Sequence, residues 1–459
     1  MALTYDFQLT RPCCEKAGLL LYNLRPDSIE QLSKGVKKLM KPEPLKGAAD
    51  ASTSKPGGDV ITEFYDNYPY PPPLENLDRA RDLWQDPNVH RAEFHLLWPH
   101  KEYRADFDVL VAGCGTWQAA RFALSHPGAR VTAIDIAPTS LQHTDALKEK
   151  YDLTNLETRQ LAIENAGDLD QQFDFIVCTG VLHHLVDPDE GLRALRSVLR
   201  PDGAMYLMVY APYGRTGVSM FQEYCRTLGI GASPRDLGDL SMTLRSLPQH
   251  HPLVLMFRGA KDQVSAGALI DALLNPRDRT YSVPQLYDFL ERNDMRLGRW
   301  YWQAPYSPAC GSIAETPHAE RLASLPERDR YKAVEIWRGL ISNHDFLAYR
   351  NDAPNDVSPV RFDDDHYLNY VPIRRTWTRC VQEQIPEGAS GVLINQTHTF
   401  TDIYVIVNDL GKHIYEAIDG QRTIGAIAEA VEGSSTHLRD FFEKLWHYDQ
   451  VVFDTSKAL

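Results

Sequence analysis

Three groups of residues offer side chains or backbone freedom that chemistry can use. Gly113 and Gly115 stand in VLVAGCGTWQ, directly after an apolar run and before a helical pattern. Glycine tolerates positive φ and lets a ligand approach the backbone closely. The first amides of a following helix face that same space without intrahelical partners. Asp135 lies 22 residues beyond Gly113 and closes the next apolar run. An acidic residue about twenty positions past a glycine turn bonds ribose hydroxyls in nucleotide-binding α/β folds. His183 and His184 are adjacent in GVLHHL, and an imidazole within reach of an acceptor can take its proton. Local packing is the other use of such a pair. The third group is EFYDNYPYPPP at 63–73, where Tyr65, Tyr68 and Tyr70 are spaced among prolines. A tyrosine there could bond a ligand carboxylate, wall off a channel, or strap aromatic rings onto a sheet. The candidates for proton transfer are His183, His184 and Tyr65.

The elements that must position these residues are visible as an alternation. DVLVA (108–112), RVTAI (130–134), FDFIVC (173–178) and AMYLMVY (204–210) are short apolar runs bounded by turn residues. Such runs fit strands buried on both faces of a parallel sheet. Helical patterns lie between them. Leu192, Leu195 and Leu199 share one face, Asp187 can cap that helix, and Pro188 suits its first position. The pattern predicts an α/β fold with a Rossmann-like, doubly wound sheet. Residues 211–280 break the rhythm with helical segments and predict a lid insertion. A helix over 283–293 and a strand over 296–303 resume it, and 316–349 reads as helical.

Around this core, residues 1–59 read as an N-terminal segment, with a helix over Ile29–Met40 and a flexible linker over 41–59. The linker has no aromatic residue and one leucine, too little apolar surface to offset its ordering entropy. The core is expected over 60–306, a helical connector over 307–371, and a small separate α/β unit over 372–459. In that unit SGVLIN and DIYVIVN predict paired strands, two helices follow, and VVFD predicts a last strand.

The chain has 459 residues, with 43% hydrophobic and 24% charged content, as in soluble globular proteins of two or three domains. Net charge is −14. Duplex binding draws on a basic excess, so no nucleic-acid partner is expected. Seven cysteines, with none in a CxxC pair, point to free thiols in a reducing compartment. Those spacings predict no zinc site, and no metal is expected. No apolar run approaches a membrane span and no secretory leader is visible, which predicts a cytoplasmic protein without a membrane partner.

The glycine turn alone leaves three readings: a dinucleotide, a cofactor without pyrophosphate such as S-adenosylmethionine, or a tight turn without ligand. A dinucleotide fingerprint places a third glycine beside the pyrophosphate, and here that position is Gln118. A cofactor without pyrophosphate needs it less. VLVAGCGT, AIDIAPTSL, FDFIVCTGVLHHLVDP and LRPDGAMYLMVY, in this order, resemble the motifs of class I S-adenosylmethionine (SAM)-dependent methyltransferases. The resemblance covers about residues 60–306. It implies SAM as cofactor, with Ala112, Gly113, Cys114 and Gly115 around the methionine portion. It implies Asp135 on the ribose, Ile136 beside the adenine, and Thr179 and Gly180 on the sulfonium side. Trp117 stands where many such proteins have a third glycine. Ala162 stands where an Asp often meets the adenine amino group, so the backbone of Ile163 or the side chain of Glu164 is expected there instead. Similar YPYPP segments precede the core in some of these enzymes, which puts Tyr70 among the cofactor contacts.

IYEAIDGQRTIGAIAEAV and LRDFFEKLWHYDQVVF, within about 391–454, resemble the small, winged-helix-like PqqD-like domain that binds leader peptides. The resemblance implies peptide capture by strand addition; a structural or dimerising appendage is the other use. Three functions therefore stay open. The first is methyl transfer to oxygen or nitrogen of a small molecule. The second is methylation of a peptide or protein acceptor recruited by the C-terminal unit. The third is SAM binding without catalysis, as a regulator. The partners expected are a small-molecule or peptide/protein acceptor, with a homodimer open.

Overall fold

The computed structural model describes residues 64–66, 68–257, 266–353, 360–398, 400–431 and 437–458. The helix expected over Ile29–Met40 and the linker over 41–59 lie outside the described residues. Seven strands form the main sheet: β1 (Asp108–Ala112), β2 (Arg130–Asp135), β3 (Leu156–Gln160), β4 (Phe173–Thr179), β5 (Leu199–Tyr210), β6 (Met295–Trp300) and β7 (Asn343–Arg350). Their order is β3-β2-β1-β4-β5-β7-β6. β3 through β5 pair in parallel, and β7 runs antiparallel to both β5 and β6.

Strand geometry sends alternate side chains to opposite faces. Leu110 and Ala112 of β1 join Leu192, Leu195, Leu286 and Phe289 from the helices Pro188–Ser197 and Val283–Arg292. Val109 and Val111 join Phe94, Leu97, Ala119 and Ala123 from the helices Pro87–Leu97 and Gln118–Ser125 on the other side. A sheet covered on both faces needs strands that are apolar throughout. The helix Pro188–Ser197 starts as its sequence predicts, with the Asp187 carboxylate accepting from the amides of Asp189 and Glu190 at 2.9 and 3.2 Å.

The core does not end at Tyr306, and 307–371 is not a helical connector. The helix Glu327–Arg338 stops at Gly339, and the chain then enters β7 between β5 and β6. Phe346 and Ala348 face one hydrophobic cluster while Leu347 and Tyr349 face the other. His344 and Asp345 interrupt the apolar run, which makes this strand read as a continuation of the helix.

The C-terminal residues hold β8 (Val371–Arg374), β9 (Thr378–Val381), β10 (Gly391–Asn395), β11 (Val405–Val407) and β12 (Val451–Asp454). β10 pairs antiparallel with β9 and β11, so the strand pair expected from SGVLIN and DIYVIVN is present, and β12 pairs with β8. The unit is not separate from the core. Phe442, Leu445 and Phe453 lie in one hydrophobic cluster with Leu97, Trp98 and Val109. Buried polar ties reinforce the joint. Asp449 accepts from Arg299 at 3.2 Å and from the Ala304 amide at 2.8 Å, and Arg91 meets Asp454 at 3.0 Å.

Between β5 and the helix Val283–Arg292 stand the helices Thr216–Leu228, Pro234–Arg245, Pro252–Phe257 and Ala266–Leu274. They carry a small core of their own, built on Val218, Phe221, Leu240, Leu253 and Leu273. No helix among the described residues is long and apolar enough to cross a membrane.

Candidate cofactor and acceptor site

The carboxyl ends of β1, β2, β4 and β5 open onto a cavity of about 370 Å³. Ligands in open α/β sheets gather at this edge, where strand order reverses. β1 leads into Gly113 at φ +70°, and a Cβ there would stand 2.4 Å from a methyl of Val181. The turn requires glycine both for its backbone and for its space. Gly115 lies under the strap, with Pro71 above it, and Thr116 Oγ1 donates to the Pro71 carbonyl at 2.7 Å.

Asp135 closes β2 beside this turn. One carboxylate oxygen accepts from the Gly115 amide at 2.9 Å and the other from the Ala137 amide at 2.9 Å. Each oxygen keeps a further lone pair. Burial holds the carboxyl above its ordinary range, opposed by the amides of Ala137 and Gly115. Ile136, Ile163, Glu164, Thr179, Gly180, Cys114 and Tyr70 line the cavity along with Gly113, Gly115 and Asp135. Ala112 does not: it is fully buried at the end of β1, in the hydrophobic cluster that also holds Leu110 and Leu192.

Several lining residues give no isolated signal in sequence. Trp117, expected only as a departure, lines the cavity with its indole N–H buried and without a hydrogen-bond partner among the described residues. Gln118 donates to Thr179 Oγ1 at 2.8 Å and ties the first helix to the end of β4. These residues fit SAM: a glycine turn lining the cavity, a carboxylate at the end of the neighbouring strand that can meet a ribose, and a buried indole N–H without a partner among the described residues.

Beyond Thr179 the sheet itself forms the floor. Thr179 pairs with Met208 of β5, and Met208 pairs with Asp345 of β7. All three line the cavity. Because β7 is antiparallel, its polar beginning lies at the same edge as the carboxyl ends of the parallel strands. Asp345 accepts from the Tyr206 hydroxyl at 2.8 Å and from the side-chain amide of Asn343. Burial pushes its carboxyl up to about 6.

The helical insertion covers the opposite wall. Tyr65 of the strap donates to Asp271 at 3.0 Å and accepts from Asn275 at 3.2 Å. Burial, and then the Asp271 charge, hold its hydroxyl well above the usual phenol range. Tyr65 is thus a hydrogen-bond donor joining strap to insertion, not a proton acceptor. His184 lines the cavity, whereas His183 stands behind it against the ring of Tyr210, with centroids 3.9 Å apart. Burial holds both imidazoles below their ordinary range. Arg215 lies over the Tyr210 ring and pairs with Asp278 at 2.8 Å. Arg279 donates to the carbonyls of Leu185 and Val186, and neither Arg277, Arg279 nor Tyr281 lines the cavity.

The sheet order, glycine turn and terminal carboxylate fit a SAM-dependent methyltransferase domain. Residues 110–205 match the family model of a methyltransferase domain. An uncharacterized protein of Synechococcus sp. is 27% identical over 327 residues, 69% of this chain and 76% of that protein. A ubiquinone biosynthesis O-methyltransferase of Xanthomonas axonopodis pv. citri is 32% identical over 145 residues. That match spans 29% of this chain and 59% of the relative's length. Among solved structures, PKMT2 from Rickettsia typhi superimposes with a TM-score of 0.56 at 13% identity, covering 81% of this chain and 75% of that one. It shares the fold.

Proposed function

We propose that the chain transfers a methyl group to an oxygen nucleophile of a small molecule enclosed between the sheet floor and the helical insertion. Asp345 is the observation that carries this reading. A buried carboxylate titrating near 6 is matched to removing a hydroxyl proton at neutral pH, and the likeness to O-methyltransferases supports an oxygen acceptor. When bound, SAM supplies an electrophilic methyl and a neutral thioether leaving group. The chain has to hold, align and deprotonate. Gly113, Cys114, Gly115 and Tyr70 hold the methionine end, and Asp135 the ribose. Ile136, Ile163 and Glu164 enclose the base, with Thr179 and Gly180 beside the sulfonium. Met208 and Asp345 face the acceptor. Tyr65 with Asp271 ties the strap to the insertion over the cavity, and His184 completes the wall.

The test is formation of S-adenosylhomocysteine over a panel of phenols, catechols, alcohols and amines. Turnover confined to hydroxyl acceptors, with an acid limb near pH 6 that Asp345→Asn abolishes, supports the proposal. Turnover confined to amines sinks it.

A second reading, a peptide or protein acceptor, has one observation in its favour. Tyr404 and Ile406, beside and on β11, are exposed apolar residues at the edge of the three-stranded sheet. The PqqD-like resemblance of this region belongs to that reading. Binding of a backbone-extended peptide that Ile406→Lys abolishes would support it.

A further inference from the structure

We propose that His183, His184 and Asp278 form a binding site for a divalent transition-metal ion, set in the wall between the cofactor cavity and the helical insertion. One ligand atom from each residue lies within 4.8 Å of the others. Both ring nitrogens of His183, Nε2 of His184 and Oδ1 of Asp278 are buried and lack hydrogen-bond partners among the described residues. Buried polar atoms are nearly always partnered, so bare ligand atoms gathered this closely call for a ligand.

The backs of two of these side chains are already fixed. His184 Nδ1 lies 2.5 Å from the Arg277 carbonyl. A carbonyl can only accept, so Nδ1 carries the proton and Nε2 presents a lone pair. A carbonyl or carboxylate behind the imidazole is the usual support of a metal-ligating histidine. Asp278 Oδ2 accepts from Arg215 at 2.8 Å and Gln222 at 2.6 Å, leaving Oδ1 turned away from both. Two imidazoles and one carboxylate suit Zn²⁺, Fe²⁺ or Co²⁺. They do not suit Mg²⁺ or Ca²⁺, which take oxygen ligands.

Charges from the surrounding elements weigh on affinity. Arg215 shares the Asp278 carboxylate, and Arg279 is anchored on the carbonyls of Leu185 and Val186; both guanidiniums repel a cation. Asp271, on the helix Ala266–Leu274, offsets part of that. The ion would tie the turn after β4, which carries both histidines, to the segment that leaves the insertion. It would therefore set how firmly the insertion closes on the cavity, whatever the acceptor.

The experiment uses the full chain, stripped with chelator and titrated with Co²⁺, whose d–d absorption reports protein ligation. The expected result is a saturable visible band at one ion per chain, displaced by Zn²⁺ and untouched by Mg²⁺. His183→Gln, which disrupts no hydrogen bond seen here, should weaken Co²⁺ binding by at least the ~10–100-fold that loss of a supporting residue costs. Near-UV circular dichroism checks that the variant is folded. Absence of a stoichiometric band in the unsubstituted protein overturns the proposal, as does a band that survives both His183→Gln and His184→Gln.

Discussion

Asp345→Asn should make the protein more stable and less active, and the gain in stability should depend on pH. The carboxyl is held up to about 6, against an ordinary value of 3.8, chiefly by burial. That difference of about two units corresponds to about 3 kcal/mol at roughly 1.4 kcal/mol per unit. The sign follows from linkage. A carboxyl whose folded value exceeds its unfolded value favours the fold while protonated, below about 4, and loses that contribution as pH rises through 6. At pH 8 the ionised group is a penalty that a neutral amide removes. The hydrogen bonds survive the exchange on paper: the amide oxygen can accept from Asn343, and its NH₂ can donate to Tyr206, whose hydroxyl changes role. Imperfect geometry reduces the gain, so stabilisation of about 1–3 kcal/mol at pH 8 is expected, vanishing near pH 4. Urea denaturation of both proteins at pH 4, 6 and 8 measures it. Initial rates should fall about 10²–10⁴-fold, the usual worth of a general base. Equal stability differences at all three pH values would refute the titration argument. A stabilised variant with undiminished turnover would refute the catalytic one.

Other substitutions probe the remaining joints. Asp135→Ala should weaken SAM binding by about 1–3 kcal/mol in calorimetry, the scale of a lost charge-assisted hydrogen bond. It should also destabilise the free protein, because the amides of Gly115 and Ala137 lose their acceptor. Gly113→Ala forces a side chain into positive φ and against Val181; a loss of about 2 kcal/mol or more in folding stability, with SAM affinity reduced in parallel, is the expected result. Asp449→Ala strands the buried guanidinium of Arg299 and should cost about 3–5 kcal/mol in denaturant unfolding. Deleting the chain after Asp365 should abolish folding of the core, seen as loss of the cooperative transition, since Phe442 and Phe453 share its apolar cluster.

The legible part of this chain is the part where one local pattern has one physical meaning. β1, β2, β4 and β5 are covered on both faces, so their residues read as unbroken apolar runs. The glycine turn and Asp135 stand at intervals fixed by one strand, one helix and the next strand. Together these predicted the edge of the sheet at which the cavity opens. β7 has the same burial, yet it opens with the polar residues Asn343, His344 and Asp345, which break the run; Asp345 lines the cavity, whereas His344 is buried against Tyr306 and Glu335. The feature that makes the strand useful is what concealed it.

Asp345 shows why the acceptor side resists sequence reading. Its character comes from burial on a strand that follows β5 by more than a hundred residues, and from pairing with Met208, which no local pattern announces. The place of the C-terminal unit is hidden in the sequence for a related reason. Its helices are amphipathic, and periodicity reveals that an apolar face exists but not what covers it. Here Trp446 and Phe453 pack together beside the helix Pro87–Leu97, and Arg299 reaches Asp449 across the joint. A unit held by a shared core cannot swing freely as a tethered recruiting module would. If it handles a peptide, it must do so from a fixed position, through the exposed edge at β11, and reach the cavity only along the surface that joins them.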